Sequence, residues 1–144
     1  MARIVFDKYR RSVKSSVLND DDLDEIEYKC GLWYEAGTDI LFSGKSKCIY
    51  TDFHGMPVVT VCNYLNGQEH GTWEMYNDQQ ILVMRIGYSF GVREGAFEGY
   101  DPNDGSLFFT GGYKNGEKDG LWTVFSNSGD VISSMYWIEG QKVN

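Results

Sequence analysis

A chain of 144 residues, 42% hydrophobic and 15% aromatic, has enough apolar material for one domain with a real core and too little length for two. Seventeen glycines against two prolines indicate many tight turns between strands, and argue against disorder or a helical bundle. A formal net charge of −8 repels phosphate backbones and anionic lipid headgroups, which disfavours direct nucleic-acid or membrane binding and makes a basic protein the expected charged partner.

The start of the chain carries Arg3, Asp7, Lys8 and Arg10 where a signal peptide needs an apolar stretch, and no run of about 18 apolar residues occurs. A soluble, cytoplasmic protein is expected. Residues 1–27 form a charged N-terminal segment in which a basic stretch, 8–14, precedes Asp20, Asp21, Asp22, Asp24, Glu25 and Glu27. The acidic run is either a solvated connector or a lure for a basic partner, in the extreme a mimic of the DNA phosphate array.

Residues 28–144 are expected to form an all-β repeat domain. Residues 41–53 resemble a degenerate first unit, with Leu41 at an opening aromatic position, Cys48 in place of a glycine and Tyr50 in place of a tryptophan. Beyond it, Tyr64, Tyr76, Tyr88, Tyr100, Tyr113, Phe125 and Trp137 recur at intervals of 12, 12, 12, 13, 12 and 12 residues. Alternate intervals differ in kind, so the unit is about 24 residues, two strands and two turns. Its motif is Y-x-x-G-x-x-x-G-x-[WF]-x-x-[YF], read at Tyr64–Tyr76, Tyr88–Tyr100 and Tyr113–Phe125. The one longer interval contains Asp101-Pro-Asn-Asp-Gly105, so the extra residue is assigned to a turn.

Asn66-Gly67, Asn115-Gly116 and Glu139-Gly140 supply the positive φ of tight hairpin turns. The second glycines, Gly71, Gly95 and Gly120, are expected to start the next strand and leave room for a neighbouring ring. Strand alternation then puts Trp73, Met75, Phe97, Trp122 and Val124 on one apolar face, continued by Leu82, Met84, Ile86, Tyr88, Leu107, Phe109, Tyr113, Val131, Met135 and Trp137. The other face carries Thr72, Glu74, Arg85, Glu98, Thr110, Thr123 and Ser134 mixed with Tyr76, Tyr100, Phe108, Phe125 and Tyr136. The expected architecture is an antiparallel meander of hairpins forming an open twisted sheet. Its apolar face is covered by its own curl, by the N-terminal segment or by a second copy in a homodimer.

The stretch Gly31–Lys45, with Tyr64–Trp73 and Tyr113–Trp122, resembles the opening and repeat motifs of the MORN-variant repeat family of YwqK-type antitoxins. That resemblance implies hairpin repeats in an open sheet and an antitoxin or immunity role in a toxin–antitoxin system, acting as an inhibitor of a partner toxin. Cys48 and Tyr50 depart from the motif, as does Phe90 before Gly91 where asparagine is usual.

Candidate partner-binding residues are the rings Tyr76, Tyr100, Phe125 and Tyr136, with Glu74, Glu98 and the acidic run Asp20, Asp21, Asp22, Asp24 and Glu25. Glu69, Glu94, Glu117 and Asp119 are expected to add acidity along one edge and face. Cross-strand stabilisation is the competing role for the rings. Cys48, His54, Cys62 and His70 match no usual metal spacing, the three cysteines form no disulfide framework, and no nucleophile, hydrolase or phosphate-loop motif occurs. The expectation is a non-enzymatic protein-binding module with no metal and no cofactor. The alternatives are an acidic nucleic-acid mimic inhibiting a nuclease or defence complex, and a dimerising scaffold.

Overall fold

The computed structural model describes residues 26–51 and 54–143. These residues form twelve strands and no helix: β1 (Ile26–Lys29), β2 (Leu32–Glu35), β3 (Gly44–Thr51), β4 (Pro57–Leu65), β5 (Gln68–Tyr76), β6 (Leu82–Ser89), β7 (Val92–Tyr100), β8 (Leu107–Lys114), β9 (Glu117–Lys118), β10 (Gly120–Phe125), β11 (Val131–Ile138) and β12 (Gln141–Val143). Strands β1 and β2 pair with each other. The other ten make one open antiparallel sheet in the order β12-β11-β10-β8-β7-β6-β5-β4-β3, with β9 beside β8. The acidic run Asp20–Glu25 lies outside the described residues.

One repeated device builds this sheet. Cys30-Gly31, Asn66-Gly67, Phe90-Gly91, Asn115-Gly116 and Glu139-Gly140 each have two consecutive positive φ angles, 46–51° then 78–86°, as a type I′ hairpin turn requires. Four of these turns hold onto the unit before them through two amides. The glycine N–H donates to a backbone carbonyl: Gly67 to Phe42 (2.8 Å), Gly91 to Glu69 (2.8 Å), Gly116 to Arg93 (2.9 Å) and Gly140 to Lys118 (2.9 Å). The preceding residue's N–H donates to a side chain: Asn66 to Ser43 Oγ (2.9 Å), Phe90 to His70 Nδ1 (3.3 Å), Asn115 to Glu94 Oε2 (2.7 Å) and Glu139 to Asp119 Oδ1 (3.5 Å).

The acceptors His70, Glu94 and Asp119 stand just before the second glycines, which explains that glycine. Gly71, Gly95 and Gly120 have φ of 97°, 86° and 84°. Each sits in a bulge of two extra residues: Tyr64 pairs with Glu69 but Cys62 with Trp73, and Tyr88 pairs with Arg93 but Ile86 with Phe97. The bulge turns the side chain before the glycine toward the next hairpin. A Cβ on Gly95 or Gly120 would meet nothing within 4 Å, so room for a ring is not their role.

Room for a ring is instead the role of Gly111. Pairing places Trp73, Ile86, Phe97, Gly111, Trp122 and Met135 in one row across the sheet. A Cβ on Gly111 would lie 2.3 Å from the Trp122 ring. Without it, Phe97 and Trp122 stack over the glycine at 5.4 Å, with Phe109 and Tyr113 at 5.3 and 5.2 Å from Trp122. Trp122 is only 3% exposed. Among the described residues its Nε1 has no hydrogen-bond partner, a cost of about 1–3 kcal/mol that burial of the ring offsets. Lys118 closes this end of the row, its ammonium 4.7 Å from the Trp122 ring and 4.6 Å from that of Trp137. At the other end Phe42, 1% exposed, meets Tyr64 edge-on at 5.6 Å, and Trp33 lies 5.6 Å from the same ring.

Two further expectations are corrected. The described part of the expected degenerate unit, residues 41–51, forms no hairpin: β3 runs unbroken from Gly44 to Thr51 along β4, and the opening turn of the array is Cys30-Gly31. Leu82, Leu107 and Val131 do not continue the apolar row. One-residue bulges pair them with Tyr76, Tyr100 and Phe125, which puts them on the opposite face. The insertion in the 13-residue interval does sit in a turn. Asp101 N–H reaches the carbonyl of Ser106, whereas Asn77 N–H and Ser126 N–H reach Ile81 and Asp130, one residue sooner.

Gly111→Ala is expected to destabilise the protein by about 1–3 kcal/mol through overpacking against Trp122. Gly99→Ala, whose Cβ would sit an ordinary 3.4 Å from Phe109, should change little. Chemical denaturation followed by tryptophan fluorescence separates the two.

Candidate protein-binding face

Glu74, Arg85, Glu98, Thr110, Thr123 and Ser134 form a row on the face opposite Trp122, fixed by direct pairing of β5, β6, β7, β8, β10 and β11. Arg85 stands between the two carboxylates. Its Nη2 and Nε donate to Glu74 Oε2 at 3.1 and 3.3 Å, and its Nη1 donates to Glu98 Oε2 at 3.1 Å. The hydroxyls of Tyr76 and Tyr100, two residues along each strand, donate to the same two oxygens. Four of the sequence-derived site residues, Glu74, Tyr76, Glu98 and Tyr100, therefore belong to one cluster. Its organising cation, Arg85, was placed on this face by alternation but not counted as a site residue.

The hydrogen bonds from Arg85 to Glu74 hold the guanidinium above its usual pKa, and desolvation beside a carboxylate pushes both tyrosine hydroxyls up. The Arg85 side chain is 40% exposed, so each pair contributes roughly 0–1 kcal/mol. Every one of these bonds ends on Oε2, so Oε1 of Glu74 and of Glu98 accepts none from the described residues. With two carboxylates to one guanidinium, the cluster keeps a negative charge and two acceptor oxygens that no described residue occupies.

Beyond Glu98 the face changes character. No charged side chain stands at Thr110, Thr123 or Ser134, and around them Leu107, Leu121, Val131 and Tyr136 are exposed, Leu121 to 56%, Val131 to 61% and Tyr136 to 50%. Phe125, paired with Val131, is half-buried in the same area. The opposite end is closed: Val59 and Val61, facing Tyr76 and Glu74 across β4–β5, are each 4% exposed. The accessible part of the face thus runs from the Glu74–Arg85–Glu98 cluster to β11.

Glu69, Glu94 and Asp119 prove structural. Glu69 accepts from Trp33 Nε1 at 3.4 Å, and Glu94 and Asp119 anchor turns. His70 anchors a turn too, and among the described residues no three His, Cys, Asp or Glu side chains are grouped to hold a metal. Met56, Pro57, Val58, Met75, Met84 and Pro102 line an open groove of about 480 Å³ beside the 77–80 and 101–106 loops, and among the described residues that line it Asp78 alone is titratable. No helix among the described residues is long and apolar enough to cross a membrane. No family model, curated protein or solved structure matches the chain.

Cys62, buried, and Cys30, exposed, are free thiols. Burial pushes the Cys62 thiol up to about 12 from 9.0. A group raised on folding stabilises the fold below its unfolded pKa and loses that contribution as pH climbs toward the folded value; Tyr76 and Tyr100 act in the same direction. Stability should hold to pH about 9 and fall steadily above it, measured by denaturant titration at a series of pH values. At pH about 8 a thiol reagent should label Cys30 quickly and Cys62 only on unfolding.

Proposed function

We propose that this chain is a non-enzymatic protein-binding repeat module that docks a basic partner on the face running from the Glu74–Arg85–Glu98 cluster to β11. The observation that carries the reading is the juxtaposition of an uncharged, exposed apolar area, Leu107, Leu121, Val131 and Tyr136, with two carboxylates that each keep one oxygen unbonded to any described residue. Exposed aromatic and aliphatic side chains supply the desolvated centre of such an interface, and Glu74 and Glu98 accept lysine or arginine donors at its margin. The net charge of −8 adds long-range attraction for a basic partner.

Within this class the resemblance of the repeat motif to YwqK-type antitoxins favours a stoichiometric neutraliser, an immunity-type inhibitor that occludes a basic toxin in the cytoplasm. Pull-down from the native host with the wild-type chain and with a Leu121→Asp/Tyr136→Asp variant tests the reading. One basic protein is expected at near-equal stoichiometry, released by salt and lost from the variant. Retention of the same protein by the variant, or a partner indifferent to salt, contradicts it.

A further inference from the structure

The docking face is polar along its length, and residues 1–14 of the same chain carry the matching chemistry in matching order. From β5 to β11 the face passes from the carboxylates of Glu74 and Glu98 to the uncharged area around Leu121, Val131 and Tyr136. Residues 8–14, Lys-Tyr-Arg-Arg-Ser-Val-Lys, are basic, and residues 4–6, Ile-Val-Phe, are apolar. Within 1–14, Arg3, Lys8, Arg10, Arg11 and Lys14 stand against Asp7 alone, a charge of +4, so the remaining 130 residues carry −12 of the total −8. The described chain enters near the β5 side of the face. Ile26 pairs with Glu35, and Trp33 of that strand donates its N–H to the Gly67 carbonyl at the turn joining β4 to β5 (2.9 Å).

We propose that residues 1–14 are an intramolecular ligand of this face, laid across the strands with Arg11 at Glu74, Lys8 at Glu98 and Ile4–Phe6 over the apolar area, so that an outside partner binds by displacing them. The spacing supports this register. Glu74 and Glu98 stand two strands apart, roughly 9.6 Å, and residues three apart in an extended segment are separated by roughly 10 Å. Two to four residues further on, roughly 7–13 Å, the apolar side chains fall at β8 and β10. The tether is long enough: Arg11 is fifteen residues before Ile26, a reach of up to about 50 Å, and Glu74 lies only seven residues along β5 from Gly67, roughly 23 Å. The opposite orientation would set apolar side chains on the carboxylates and cations on Leu121, leaving both sets unmatched. Pairing with the acidic run 20–25 would neutralise the cations too, but it offers Ile4, Val5 and Phe6 only Leu23, whereas the face offers them an apolar surface. Weak contacts suffice, because a short tether holds its ligand at an effective concentration on the order of 1 mM.

Amide NMR spectra of the full chain at low salt test the contact. Lys8→Gln/Arg11→Gln should shift the amides of Glu74, Arg85, Glu98, Thr110 and Thr123 relative to wild type, and raising the salt should move the wild-type amides to the same positions. A synthetic peptide of residues 1–14 added to that variant should return them. A spin label on Ala2→Cys, in a Cys30→Ser/Cys48→Ser background, should broaden Leu121 and Tyr136 and spare Gly67. Unchanged face amides in the variant overturn the proposal, as does broadening confined to residues 20–25 or centred on Glu74. The proposal rests on the reading of this face as a site for basic ligands, yet the two fail separately. A host partner that Leu121→Asp/Tyr136→Asp releases, with no shifts in Lys8→Gln/Arg11→Gln, sinks the intramolecular contact alone; the shifts without any host partner sink the reading of an outside partner alone.

Discussion

The structure depends on the grip of each hairpin turn on the hairpin before it. A two-stranded hairpin is marginal in water, and an open sheet of hairpins has no closure to fix its register. Here the two amides at four of the five type I′ turns, left pointing outward by the left-handed backbone, are satisfied by the preceding unit, one by a carbonyl and one by a side chain. Successive units are thereby set in phase. A one-residue slip would leave both amides without partners and move every side chain to the wrong face.

From that phase the two faces follow. With units aligned, rows of side chains run straight across the strands, so that Phe97 and Trp122 stack over Gly111 and the carboxylates of Glu74 and Glu98 flank Arg85. The first row holds the sheet together through ring packing, roughly 0.5–1.5 kcal/mol per pair beyond simple burial. The second is half-exposed and half-satisfied, and contributes little to stability. A surface that is ordered by the fold and dispensable to it is free to recognise something else.

Much of this was legible in the sequence. The 12-residue spacing of Tyr64 through Trp137 marked the strands, and the turn pairs Asn66-Gly67 and Asn115-Gly116 marked the hairpins, because each signal has a local cause in chain geometry. The bulges had no such signal. Leu82, Leu107 and Val131 lie on the face opposite the one alternation predicts, since a single extra residue inverts the pattern and leaves the composition unchanged. The turn at Cys30-Gly31 was hidden because cysteine rarely takes positive φ. Arg85 was the missed member of the site. It lies a strand away from each partner, and only cross-strand register brings it between Glu74 and Glu98. The position before the second glycine, occupied by His70, Glu94 and Asp119, did recur in the motif with acceptor side chains throughout, a signal that chemistry more than residue identity could have revealed.

Amide hydrogen exchange at Gly67, Gly91, Gly116 and Gly140, read residue by residue by NMR, tests the interlocking of turns most directly. Turn-tip glycines on an ordinary hairpin exchange almost as fast as an unfolded chain. These four should be protected to a degree comparable with the neighbouring strand amides. Exchange at the unprotected rate at all four would mean that the turns do not hold one another, and the account of the sheet would fail with them.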